Sequence, residues 1–165
     1  MYVFSKNGAP FCGGTLLSSD TVLTAAHCKD VLKLSPLCDV KVAVGMIDWS
    51  DTKDDQYISV REWIEHPDYT PPPMASYDND YAIVKLAKHV TFSDLVAPAC
   101  LPNTTQNYDD VSATISGWGR LYTGAPPQLK PKVLQKVIIC NITSTSWPWV
   151  VCKHEKLTKT KTKCL

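Results

Sequence analysis

A histidine and a carboxylate, each set beside an apolar run, are the side chains of this sequence best placed to move protons. The histidine is His27, within Thr24-Ala25-Ala26-His27-Cys28. An imidazole titrates near neutrality and can take the proton of a hydroxyl or thiol that then attacks an electrophile. The carboxylate is Asp80, which ends Asp78-Asn79-Asp80 and precedes Tyr81-Ala82-Ile83-Val84-Lys85-Leu86. An aspartate entering an apolar strand can be buried and accept an imidazole N–H. That bond orients the ring, sets its tautomer and stabilises the imidazolium formed in proton transfer. Taken singly, each residue has a plainer reading: a satisfied core histidine, and a turn-capping aspartate. The segment Phe11-Cys12-Gly13-Gly14 precedes His27 by one hairpin and would bring Cys12 and Cys28 together. A disulfide there would pin the hairpin and hold the His27 backbone.

The elements that must position this pair read as β-strands. Short apolar stretches recur between turn signals, with no long 3.6-residue period. Phe11–Ser18 and Thr21–Ala26 are predicted as adjacent strands around a Ser19-Asp20 turn. Val40, Val42 and Val44 alternate with Lys41 and Ala43, and Gly45 closes that strand. Further strands are predicted over Tyr57–Ile64, Tyr81–Leu86, Val111–Ser116 and Leu134–Ile139, rich in β-branched and aromatic residues. Pro71-Pro72-Pro73 and Pro126-Pro127 mark exposed loops, because proline cannot donate to a ladder. Many short strands at roughly 8–12-residue spacing predict an all-β sandwich or barrel. Such barrels often run to about 200–250 residues as one domain. At 165 residues the chain is expected to fall short of a complete one. After Cys140 the alternation fades, and five lysines fall between Lys153 and Lys163. Residues 140–165 are therefore expected to be an irregular, solvated tail behind a domain spanning 1–139.

Composition narrows the partners and the compartment. A net charge of +1 supplies no field that would draw nucleic acid or a membrane surface. No apolar run reaches the length of about 18 residues that a membrane-spanning helix needs. Seven cysteines are dense for a reducing compartment, and their odd number leaves one thiol free or paired outside the chain. Asn103-Thr104-Thr105 and Asn141-Ile142-Thr143 fit the N-glycosylation pattern, with ordinary polar loops as the plainer reading. Together these features point to a secreted protein. Met1–Pro10 carries no signal-peptide core, so a preceding segment is expected to be missing.

The ordered set of motifs resembles the trypsin/chymotrypsin family of serine endopeptidases, peptidase family S1. Those motifs are Cys-Gly-Gly-Thr-Leu-Leu at 12–17, Ala-Ala-His-Cys at 25–28 and Val44-Gly45. They continue with Glu65-His66-Pro67-Asp68-Tyr69, Asp78-Asn79-Asp80, Ala99-Cys100-Leu101-Pro102, Ser116-Gly117-Trp118-Gly119-Arg120 and Leu134-Gln135-Lys136-Val137. The likeness runs from about residue 10 to residue 139 and needs no cofactor. It implies a double β-barrel with its site in the cleft between barrels, the first barrel nearly complete here and the second only partial. It implies that His27 is the general base and Asp80 its orienting partner. In that chemistry a serine hydroxyl attacks a peptide carbonyl, the histidine takes its proton, and backbone amides hold the oxyanion.

The serine's own motif, Gly-Asp-Ser-Gly-Gly, does not occur in these residues. The serines after Gly119 are Ser144 and Ser146, and no glycine follows Gly124 to build a close-approach turn. The segments that wall the family's specificity pocket have no counterpart, and neither does its activating N-terminus. Three readings follow. The chain is part of a secreted endopeptidase acting on proteins or peptides, a non-catalytic homologue that binds partners, or a fragment with no stable function. The unpaired sheet edges expected of a partial second barrel call for a missing C-terminal half or a partner chain. Asp48, Asp51, Asp54 and Asp55 read as a solvated acidic turn rather than a calcium loop, and no metal site is expected. Cys100 is the candidate odd thiol, because its usual family partner lies in a preceding segment. Trp118 reads as a packing residue rather than a ligand contact.

Overall fold

The computed structural model describes residues 2–4, 10–30, 32, 36–51, 57–71, 78–103, 105, 107–109, 111–122, 124, 126, 130–142 and 150–156. Its strands are β1 (Tyr2–Phe4), β2 (Pro10–Gly13), β3 (Thr15–Leu16), β4 (Thr21–Thr24), β5 (Lys41–Ala43), β6 (Tyr57–Glu65) and β7 (Ala82–Leu86), followed by β8 (Val111–Gly117), β9 (Gln135–Ile142) and β10 (Val150–Lys156). A short helix, α1 (His27–Asp30), and a 3-10 turn over Leu37–Asp39 interrupt the β order. The described residues fall into two compact units. One is built on β1–β7, and the other on β8–β10 with the segment Ile47–Asp51. Among the described residues no helix is long and apolar enough to cross a membrane.

The first unit is one antiparallel sheet in the order β2-β1-β5-β6-β7-β4-β3. The strands at the two ends of that order, β2 and β3, are separated in sequence by Gly14 alone, so the sheet has to curl back on itself. The predicted single strand over Phe11–Ser18 is therefore divided. Its first half pairs with β1 and its second half pairs with β4, through Thr15↔Leu23 and Leu16↔Val22. Gly14 allows the crossing. A Cβ there would lie 2.8 Å from Val22 Cγ1 and 3.1 Å from the Leu23 carbonyl. Buried Thr24 donates its hydroxyl to the Gly13 carbonyl at 2.8 Å and ties β4 to the same crossing.

Alternating side chains fill the curled sheet. Ala82, Val84 and Leu86 on β7 point inward with Val22 on β4 and Val40 and Val42 around β5. Burying each valine or leucine contributes about 1.5–3 kcal/mol. Strand β6 departs from simple alternation. A register shift between Val60 and Glu62 turns both Val60 and Trp63 inward and leaves Ile64 45% exposed. A bulge of this kind inserts one residue and re-aims every side chain after it.

The second unit is a three-stranded antiparallel sheet in the order β10-β9-β8. Ile47–Asp51 is laced to it. Leu134 N–H and the Trp118 indole N–H both donate to the Ile47 carbonyl, at 2.7 and 3.1 Å, and Trp49 N–H donates to Lys132 O at 3.1 Å. The expectation of an irregular tail after residue 139 is corrected here. β9 continues to Ile142, and β10 pairs along it from Val150↔Cys140 to Lys156↔Gln135. Val-Val-Cys-Lys-His-Glu-Lys lacks a clear apolar period. Backbone pairing to a neighbouring strand sets this strand, and edge strands commonly carry charge. Strand β1, which periodicity also missed, bridges β2 and β5.

Gly14→Ala should lower the stability of the 165-residue chain by about 1–3 kcal/mol, since an added methyl must displace a backbone oxygen and a packed valine. A Cβ at Gly119 would meet nothing within 4 Å, so Gly119→Ala should stay within about 0.5 kcal/mol. Urea midpoints of the two variants make the comparison.

Candidate active site

His27 is placed by the exit from β4. The chain leaves Thr24, turns at Ala25 and Ala26, and enters α1, with Cys28 N–H on the Ala25 carbonyl at 3.3 Å and Lys29 N–H on the Ala26 carbonyl at 3.0 Å. Contacts with the rest of the unit hold this short helix, which is too brief to be stable by itself. Cys28 is buried and disulfide-bonded to Cys12 on β2, with their Cα atoms 6.1 Å apart. Lys29 Nζ donates to Glu65 Oε2 at 2.7 Å, and Tyr69 OH donates to Asp30 Oδ2 at 3.4 Å. With Cys28 turned into the core, His27 points outward, its side chain 47% exposed.

Asp80 is placed by the entrance to β7. Asn79 adopts a left-handed backbone, φ 58°, a conformation that asparagine tolerates better than most residues. Tyr81 N–H returns to the Asn79 carbonyl at 2.7 Å, closing a tight three-residue turn around Asp80. His66, just past β6, donates its N–H to the Tyr81 carbonyl at 3.1 Å, and its ring lies 4.6 Å from the Tyr81 ring. Asn79 Nδ2 reaches the Asp68 carbonyl at 3.4 Å. The turn is thus fixed from both sides, and it swings the Asp80 carboxylate toward the start of α1.

There the two residues meet. Asp80 Oδ2 lies 2.7 Å from His27 Nδ1, and Asp80 Oδ1 accepts the His27 backbone N–H at 2.9 Å. A carboxylate can only accept, so Nδ1 carries the hydrogen in this bond. The neutral ring therefore holds its free lone pair on Nε2, which lies 3.8 Å from Cys28 Sγ. Asp80 is only 18% exposed. That burial alone would push its carboxyl upward. The His27 backbone N–H, the His27 side chain and its charge, and the Ala26 N–H together outweigh it and leave the pKa lowered. The arrangement is a pre-oriented imidazole base backed by an ionised carboxylate.

The other predicted site residues are dispersed. Ser144 and Ser146 lie outside the described residues, as do Asp54 and Asp55. Asp48 caps its own turn, accepting from the N–H and hydroxyl of Ser50 at 2.8 and 2.6 Å, which holds its carboxyl low. Cys100, expected as the odd thiol, is instead disulfide-bonded. The sulfurs of Cys12 and Cys28 and a His27 ring nitrogen lie within 4.8 Å of one another, but both sulfurs are spent on the disulfide and offer no thiolate to a metal. Asn103 sits in an exposed loop, and Asn141 lies in β9, the central strand of the second unit. The roles of Asn79 and of the Ala26 and His27 amides were not read from the sequence. The signal for Asn79 was its type, next to an aspartate that has to reverse direction.

Because folded Asp80 releases its proton more readily than the unfolded chain, its ionised form favours folding. That contribution is complete above the ordinary carboxylate value of 3.8 and is lost as pH falls through the lowered folded value. Asp80→Asn should cost about 1–3 kcal/mol near neutral pH. The gap to the unmodified chain should close as the pH falls below about 4. Urea titrations of both chains across that range test it, and a gap independent of pH would contradict it.

A sequence model of the trypsin family matches residues 1–159, further in both directions than the likeness read from motifs. Serine proteinase stubble of Drosophila melanogaster is 36% identical over 131 residues, covering 78% of this chain and 16% of that protein. Mannan-binding lectin serine protease 1 of Rattus norvegicus is 34% identical over 135 residues, 74% of this chain and 18% of its own length. Vitellin-degrading protease of Bombyx mori is 37% identical over 140 residues, 84% of this chain and 49% of its own length. The chain thus spans less than half the length of each of these relatives. With its curled first sheet, its partial second sheet and its motifs in order, the chain belongs to the trypsin family of serine proteases.

Proposed function

We propose that this chain carries the proton-handling half of a secreted trypsin-like endopeptidase, and that these 165 residues by themselves do not cut peptide bonds. The observation that carries the reading is the 2.7 Å His27–Asp80 pair in a sequence with no Gly-Asp-Ser-Gly-Gly. In the complete reaction Nε2 of His27 takes the serine proton as the oxygen attacks the peptide carbonyl, then returns it to the departing amine. Asp80 holds the ring and balances its transient charge. Substrates are proteins or peptides, in keeping with a relative named for degrading vitellin. The Cys12–Cys28 disulfide and the two sequons support an oxidising, extracellular setting. A second reading is a non-catalytic homologue that binds partners. It is favoured by edge strand β8, whose Val111 and Ile115 are 41% and 48% exposed and would be covered by a further segment or another chain.

The residues present supply a base without an activated oxygen. Triad members act as a unit, so loss of the nucleophile removes nearly all covalent catalysis. A fluorophosphonate probe, which captures activated serines, should leave the folded 165-residue chain unlabelled, and peptide amide hydrolysis should stay at the buffer rate. Labelling that disappears in His27→Ala and in Ser144→Ala or Ser146→Ala would overturn the proposal.

A further inference from the structure

The two glycosylation sequons are built differently. Asn103 follows Pro102 in an exposed loop that belongs to neither sheet. Its Oδ1 accepts both the Thr105 backbone N–H, at 3.1 Å, and the Thr105 hydroxyl, at 2.8 Å. Its own N–H donates to the Tyr108 hydroxyl at 2.9 Å. The carbonyl side of the amide is thereby held against the chain. Among the described residues no hydrogen bond engages Nδ2, the nitrogen that must be substituted. The two donors on Oδ1 draw electron density toward the oxygen and make the Nδ2 protons easier to lose. Asn141, by contrast, is the next-to-last residue of β9, flanked by Cys140, which pairs with Val150 of β10, and by Ile142, which pairs with Val111 of β8. A transferase that must take hold of the acceptor backbone can do so here only after these flanking pairs open.

We infer that Asn103 is the N-linked glycan acceptor of this chain and that Asn141 stays unmodified. In the transfer Nδ2 attacks the anomeric carbon of an oligosaccharide carried on a lipid diphosphate. The Nδ2–carbon bond forms and the carbon–oxygen bond to the diphosphate breaks, its electron pair leaving with the diphosphate. One Nδ2 proton passes to a base. The exposed loop and the Thr105 hydroxyl supply the acceptor geometry, and the β9 pairing withholds the second site. The inference rests on the secretory setting proposed above.

The test separates the two. The full chain is expressed behind a cleavable secretion leader in eukaryotic cells, which supplies the compartment whatever the native route. Gel mobility is then compared with and without an amidase that releases N-glycans, and the secreted chain is mapped by peptide mass. One glycan per chain is expected. Asn103→Gln and Thr105→Val should each abolish the shift, whereas Asn141→Gln should leave it intact. A secreted chain with no shift, or a shift that survives Asn103→Gln, would overturn the inference. A secreted, glycosylated product in which Cys12 and Cys28 stay reduced would count against the secretory reading alone.

Discussion

Asp80 is 18% exposed, and a carboxylate withdrawn from water costs free energy unless donors replace the solvent it gives up. The replacements come from one place, the start of α1: the His27 backbone N–H at 2.9 Å, the His27 ring at 2.7 Å and the Ala26 N–H. Early amides of a helix have no partner within the helix. The carboxylate and the helix start therefore satisfy each other across 53 residues of sequence. Much of the local architecture serves that meeting. The Cys12–Cys28 disulfide, the Lys29–Glu65 pair and the Tyr69–Asp30 bond restrain the helix, while the left-handed Asn79 and the Tyr81–His66 contacts restrain the turn. Two irregular segments, neither of them stable alone, become one rigid site.

The side chains of this site were legible in the sequence because each sits beside an apolar run of recognisable period. His27 follows Thr21–Thr24, and Asp80 precedes Ala82–Leu86, whose alternate residues are buried as a half-buried strand requires. The backbone that aims them was less legible. Nothing in Asp78-Asn79-Asp80 states that Asn79 turns left-handed, because several residue types cap turns equally well. The bulge in β6 was hidden for a similar reason. Strict alternation would put Val60 and Ile64 on one face, whereas the structure buries Val60 with Trp63. The curl at Gly14 was also hidden, since a glycine inside an apolar stretch marks a close approach without naming its partner. Backbone partners depend on distant strands, and local pattern carries no record of them.

The two units differ in how far local pattern is completed by packing. In the first, Val22, Val40, Val42, Val84 and Leu86 are fully enclosed. In the second, β8 shows the alternation Val111, Ala113, Ile115 against Ser112, Thr114, Ser116, yet Val111 and Ile115 remain largely exposed. Pairing with β9 forms the strand, but pairing satisfies only the backbone. Burial requires a second layer. Trp118, Gln135 and Ile139 are buried, so this unit has the beginnings of a core around β9 and Ile47. Strand β10 follows the same logic: hydrogen bonding to β9 shapes a charged segment that hydrophobic period could not predict.

The described groups that orient His27 belong to the first unit, among them Cys12, Ala26, Cys28, Lys29, Glu65, Asn79 and Asp80. The His27–Asp80 pair is therefore held by contacts within the first unit. That arrangement has a chemical consequence. Acyl transfer needs a nucleophile held within bonding distance and a cradle for the oxyanion, and positioning of this kind is worth several kcal/mol of barrier. The oriented imidazole is 47% exposed, open to such a partner. The lowered pKa of Asp80 and the fixed tautomer of His27 prepare the ring for proton transfer, whereas placing the attacking oxygen and the oxyanion donors is a separate demand. Orientation of the imidazole and supply of the attacking oxygen are thus distinct structural tasks, and the first is accomplished within one unit, by a short helix and a tight turn set at the ends of its strands.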